Sequence, residues 1–205
     1  DVEGNQALGF TGANDLNALQ LSSLQIAEGE KATVFFRLAT LDDDAVDGQV
    51  NVLFGLTEKP IRFTGDFNND AGPIVRLTKE PGFGPITLNA RNGVGNNTDV
   101  GDSVLDFGGV YNIWIDVENK SNDDGDVYSV YIAEEGQSER TVVFENFVSD
   151  RTPAGTVDLG KPKPDLMSLL VMSSGLNAGL GNLLFDDLYV SIGKFIDTVP
   201  VASSF

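Results

Sequence analysis

Apolar and polar residues alternate with a period of two along most of this chain. Side chains of a strand point to opposite faces in turn, so the alternation predicts β-strands with one buried face each. The longest example is residues 109–134, GVYNIWIDVENKSNDDGDVYSVYIAE. Two alternating runs, 110–118 and 127–132, flank an Asn/Asp/Gly tip, the pattern of a β-hairpin with an extended loop. Ile113, Ile115 and Val117 share one face of the first run and are expected to meet Tyr128, Val130 and Ile132 of the second. Asn112, Trp114, Asp116 and Glu118 share the other face with Ser129 and Tyr131. The pattern therefore turns the only tryptophan away from the core, beside carboxylates and a tyrosine.

The same reading predicts strands at 5–12, 18–22, 31–41, 49–56, 74–79, 86–91, 141–148, 165–172 and 183–192, with a short one around Ile61 and Phe63. Residues 24–30 fit a helix through Leu16, Leu19 and Leu24, but Gly29 and the β-branched run after it favour a strand and turn. Loops are expected at 42–48, 65–73, 80–85 and 92–103, where Gly, Pro, Asn and Asp gather. Residues 150–164 carry three of the eight prolines and read as a long crossover. Many short strands punctuated by turns predict an all-β, two-sheet antiparallel β-sandwich. One domain is expected over 1–196, with 197–205 as a C-terminal tail or the start of a linker.

Composition narrows the chemistry. A chain of 205 residues is long enough to bury a core without crosslinks. It has no cysteine, which excludes thiol catalysis and cysteine metal sites, and no histidine, which removes the commonest general base and zinc ligand. The formal net charge of −18 opposes nucleic acid and anionic membrane as partners. No apolar run is long enough to span a bilayer, so no membrane insertion is expected.

The runs TVFFRLA, VLFGL, VYNIWIDVENK with DVYSVYI, and LLFDDLYVSIGK resemble the concanavalin A-like (laminin G-like) jelly-roll modules of bacterial secreted carbohydrate-active proteins. The likeness runs from about Lys31 to Lys194. It implies a jelly roll in which glycans lie across the outer face of one sheet, secretion from a bacterium, and attachment to a larger multidomain protein. It also implies a structural Ca²⁺ between the first strand and the acidic pair that opens the last. By that likeness Asp187, with Glu3 or Asp1, supplies ligands. Hard oxygen donors select calcium over transition metals.

Alternation places Arg62, Arg76, Asn89 and Arg91 on outward faces of the middle strands, to be joined by Trp114, Asp116 and Tyr131 as a glycan-binding strip. Residues 59–91 hold five basic side chains against three acidic ones, a local excess on an acidic protein. Guanidinium forks there suit a carboxylated or sulfated sugar, while an indole suits stacking on a sugar ring. The alternative is that the arginines pair with neighbouring carboxylates and that Trp114 is covered by another part of the chain.

Residues 114–118 (WIDVE) resemble the strand motif of retaining glucanases on this fold, E-x-D-x-E. Asp116 and Glu118 match the middle and last positions, but Trp114 stands where that family has its nucleophile. Two carboxylates without the first do not complete the double displacement. The expectation is a non-catalytic carbohydrate-binding module that takes a polysaccharide or oligosaccharide. A structural or adhesive sandwich, or a divergent polysaccharide-cleaving enzyme, is the alternative.

Overall fold

A computed structural model describes residues 8–9, 24–40, 50–57, 71–79, 85–94, 99–120, 125–150, 165–166, 168–173 and 183–200. Among the described residues twelve strands follow one another: β1 (Leu8–Gly9), β2 (Lys31–Thr40), β3 (Val50–Thr57), β4 (Ala71–Lys79), β5 (Ile86–Arg91), β6 (Gly93–Val94), β7 (Asp99–Leu105), β8 (Val110–Glu118), β9 (Asp126–Glu134), β10 (Thr141–Asp150), β11 (Ser168–Ser173) and β12 (Leu183–Ile192). They form a seven-stranded sheet, β1-β12-β2-β8-β9-β10-β6, and a five-stranded sheet, β11-β3-β4-β5-β7. All neighbours are antiparallel except β6, which joins β10 in parallel through two residues. The expected all-β sandwich is thus the observed architecture.

The core follows from the alternation. Val34, Phe36 and Leu38 of β2, Ile113, Ile115 and Val117 of β8, and Tyr128 and Val130 of β9 line the inner face of the larger sheet. Val52, Phe54 and Leu56 of β3, Val75 and Leu77 of β4, and Leu88 and Ala90 of β5 oppose them from the smaller one. Phe36, Phe54 and Phe185 stack across the gap with ring centroids 4.4–5.3 Å apart, contacts that add to their burial. The Tyr128 hydroxyl crosses the core and shares its one proton between the carbonyls of Ile74 and Arg91, tying the two sheets together.

Several boundaries differ from those expected. Strand β4 begins at Ala71 rather than at Ile74, so Pro73 lies inside it. Its pairing with β3 is irregular between Gly55 and Thr57. A residue without an N–H is tolerated at such an interruption of the ladder. Residues 99–103, expected in a loop, belong to β7 at the edge of the five-stranded sheet. Ile26 exchanges backbone hydrogen bonds with Leu166, and Ala27–Glu30 turn, so 24–30 is a bridge and turn, not a helix. The strands expected at 18–22 and around Ile61 lie outside the described residues, as does most of the 150–164 crossover.

Candidate functional site

The six predicted glycan-site residues that are described do not converge. Arg76, Asn89 and Arg91 belong to β4 and β5 of the five-stranded sheet, whereas Trp114, Asp116 and Tyr131 belong to β8 and β9 of the other. Arg76 alternates with the core residues Val75 and Leu77, and Trp114 with Ile113 and Ile115. Both sets therefore face away from the core, on opposite outer surfaces of the sandwich. The expected single strip is two. Arg62 lies outside the described residues.

Around Trp114 the outer face of the seven-stranded sheet is covered. Trp114 sits beside Phe35, with ring centroids 5.2 Å apart, and keeps 2% of its surface exposed. Residues 193–200 cross over it: Gly193 N–H donates to the Lys31 carbonyl at 2.7 Å, Ile196 N–H to Thr33 Oγ1 at 3.1 Å, and Trp114 Nε1 to the Thr198 carbonyl at 3.4 Å. Ile196 packs into the small apolar cluster of Phe35, Trp114, Ala133 and Tyr131. The expectation that the indole is open to water is corrected, since a segment some 80 residues distant in sequence roofs it. Alternation along β8 carries no signal for that cover.

Beneath the same segment the carboxylate of Asp116 is fully engaged. It accepts from the Thr33 hydroxyl and pairs with Arg140 at 2.9 Å. The guanidinium of Arg140 lies 3.9 Å from the centroid of the Tyr131 ring and donates to the Ile196 carbonyl at 2.9 Å. Glu118, the second carboxylate of the glucanase-like motif, approaches Lys31 at 3.9 Å. Sequence reasoning missed Arg140 because it follows a polar turn, outside any alternating run.

The outer face of the five-stranded sheet carries a different pattern. Arg76 and Asn89 are direct cross-strand neighbours, and so are Thr78 and Thr87. Asn89 Nδ2 donates to Thr78 Oγ1 at 2.8 Å, and the Thr78 and Thr87 hydroxyls share a bond of 2.8 Å. The four side chains are half-buried, while Arg91, two residues along the same strand, is buried. This gives a cationic fork, a carboxamide and two hydroxyls fixed side by side on two central strands.

Asp187 sits at the bulge of β12, where pairing with β2 shifts between Asp186 and Tyr189, and it adopts φ 52°. Its amide donates to Asp186 Oδ1 at 2.8 Å, which holds the left-handed turn. Arg37 reaches its carboxylate at 3.5 Å and Glu135 at 3.5 Å on the other side. Among the described residues no group of three acidic, histidine or cysteine side chains gathers around a common point. The described donors do not fit calcium by themselves, and Asp1 and Glu3 lie outside the described residues.

A third feature has no counterpart in the sequence reading. A cleft of about 600 Å³ opens at the side of the sandwich, where the edge strand β7 faces β9 and β10. Tyr111, at its floor, accepts the Asp106 amide at 2.8 Å. Burial pushes its pKa above 10.0; that bond opposes the rise, and the Asp106 and Glu134 carboxylates add to it.

No family model matches this chain, and no curated relative matches it. Solved structures do. A marine PL-14 alginate lyase from Aplysia kurodai superposes with a TM-score of 0.54 at 12% identity, covering 84% of this chain and 73% of that one. A GH131 β-glucanase catalytic domain from Podospora anserina gives 0.48 at 13% identity, over 85% of this chain and 62% of that one. A tetrameric galectin from the sponge Cinachyrella sp. gives 0.37 at 12% identity, over 88% and 100%. Of these three the lyase superposes well enough to carry an inference, and at that identity the inference is the fold. The chain shares the two-sheet jelly-roll fold with that lyase. No helix among the described residues is long and apolar enough to cross a membrane.

Proposed function

We propose that this chain is a non-catalytic carbohydrate-binding module that holds a polysaccharide on the outer face of the five-stranded sheet. The observation that carries the reading is the in-register pair Arg76–Asn89 beside Thr78–Thr87. A guanidinium fork binds a carboxylate through two parallel hydrogen bonds, and the amide and hydroxyls suit sugar hydroxyls. An acidic polysaccharide is the substrate class this set favours. The fold shared with an alginate lyase supports a carbohydrate ligand as analogy.

The reading is non-catalytic because the best acid–base candidates are committed elsewhere. Asp116 is held by Thr33 and Arg140 under residues 193–200, and Glu118 faces Lys31. Histidine is absent from the whole chain. The same proposal places the protein outside a bacterial cell, as one module of a larger protein.

Calorimetry against neutral and uronic polysaccharides tests it. Saturable binding of a uronic polymer is expected, weakened at least roughly tenfold by Arg76→Ala and less by Asn89→Ala. The absence of binding to every polymer tested, or full affinity in Arg76→Ala, overturns it. Incubation with alginate and laminarin is expected to release neither reducing ends nor unsaturated products.

A further inference from the structure

The outer face of the five-stranded sheet is closed at one end and open at the other. Leu53 and Thr57 of β3, Ile74 of β4, Arg91 of β5 and Ser168 of β11 each sit next to a residue of the main core, so alternation turns all five outward. None of them is more than 4% exposed. An outward side chain with no access to water lies under other parts of the chain, so that end of the face is roofed. One row beyond Arg76 and Asn89, Thr78 and Thr87 face each other half-buried. Val104 of β7 pairs with Thr87 and is 55% exposed, the most of any large apolar side chain among the described residues.

The Arg76–Asn89 row is the border between the two ends. Arg76 pairs with the buried Leu53 on one side and with Asn89 on the other. Ile74 and Arg91, two residues further along the same strands, already lie under the roof. A ligand group that meets the Arg76 fork is therefore stopped at Leu53, Ile74 and Arg91, and its continuation leaves over Thr78, Thr87 and Val104. Neighbouring strands stand about 4.8 Å apart and residues two apart on one strand about 6.7 Å, which puts Arg76 and Val104 about 12 Å apart. That span holds a terminal sugar ring and the ring after it. The bonded hydroxyls of Thr78 and Thr87 suit ring hydroxyls, and Val104 offers an apolar surface to the C–H face of the second ring.

We infer that the site takes the end of an acidic polysaccharide and not its middle. The terminal uronate lies on Arg76 and Asn89, and the next ring lies across Thr87 and Val104. The assignment rests on the carbohydrate reading of this face and deepens it, since the Arg76 fork by itself serves an open groove and a blind site equally. A groove open at both ends lets several copies of the protein bind along one polymer chain. A site closed behind Arg76 takes one copy per chain, at one of its ends. Val104 then sets how tightly the second ring is held.

Calorimetry on the full chain tests it with alginate and polygalacturonate, each intact and partly acid-hydrolysed, and with their purified oligosaccharides. For the polymer that binds, one copy per chain is expected at every length, so hydrolysis that doubles the number of chains doubles the sites per unit mass. The disaccharide is expected to match the hexasaccharide in affinity to within about twofold. Val104→Asp is expected to weaken the disaccharide roughly fivefold and to leave the monosaccharide unchanged. Many copies per intact chain, an affinity that goes on rising from disaccharide to hexasaccharide, or full disaccharide affinity in Val104→Asp overturns the chain-end assignment and leaves the Arg76 reading in place. No binding of any of these uronic ligands overturns both.

Discussion

Asp116 and Arg140 form an ion pair at 2.9 Å that the backbone of Ile196 closes into a ring. Ile196 N–H donates to Thr33 Oγ1, the Thr33 hydroxyl donates to Asp116, and Arg140 donates to the Ile196 carbonyl. Every polar group in the ring has its partner beneath residues 193–200, where Asp116 is 5% and Arg140 16% exposed. Charges taken out of water cost free energy unless paired and hydrogen-bonded, so this ring is what allows an apolar strap to lie over a carboxylate.

Removing one member of the pair leaves the other uncompensated. Asp116→Ala is expected to cost about 3 kcal/mol in urea denaturation, in the range seen for broken buried pairs. Asp116→Leu with Arg140→Met, which removes both charges and keeps the volume, is expected to recover most of that loss. A single substitution that costs less than a surface pair does would show that the ring contributes nothing measurable.

The strap makes Trp114 a reporter, because it is the only indole in the chain. Full-length protein is expected to emit at short wavelength and to resist acrylamide quenching. Deleting 194–205 removes Ile196 and the Thr198 carbonyl that meets Nε1, and is expected to shift the emission to the red and open it to quencher. Unchanged emission in a folded truncation would mean that the cover comes from elsewhere.

Tyr111 sets an alkaline limit. Burial is the first cause of its raised pKa, opposed by the hydrogen bond from the Asp106 amide and reinforced by the charges of Asp106 and Glu134. A folded pKa above the unfolded value of 10.0 means that the neutral phenol is favoured in the folded state. Its contribution is fully present below the unfolded pKa and is lost as pH rises through the folded one. Tyr111→Phe is expected to flatten the fall of the urea midpoint above about pH 10. At neutral pH it is expected to cost about 1 kcal/mol for the lost hydrogen bond. An alkaline arm of equal slope in both proteins would remove Tyr111 from the account.

The carrying of side chains to one face or the other was legible residue by residue. The boundaries of β5, β8 and β12 agree with the alternating runs, and Trp114 lies on the face opposite Ile113 as expected. Strand β7 was hidden because Gly101, Asp102 and Ser103 give it the composition of a loop. It is a strand because β5 offers it a partner edge from Ile86 to Arg91.

The sequence by itself determined period, and with it the all-β class, the inner and outer residues of each long strand, and the chemistry that lacks histidine and cysteine. These are local matters, settled by which neighbours alternate with which. Only the tertiary structure decided which sheet each strand joined. It put Arg76 and Asn89 on one side of the sandwich and Trp114 on the other, brought Arg140 to Asp116, and laid residues 193–200 across the indole. The reason is physical: strand order and the docking of a distant segment depend on the summed burial and hydrogen bonding of elements far apart in the chain, which no window of alternating residues contains.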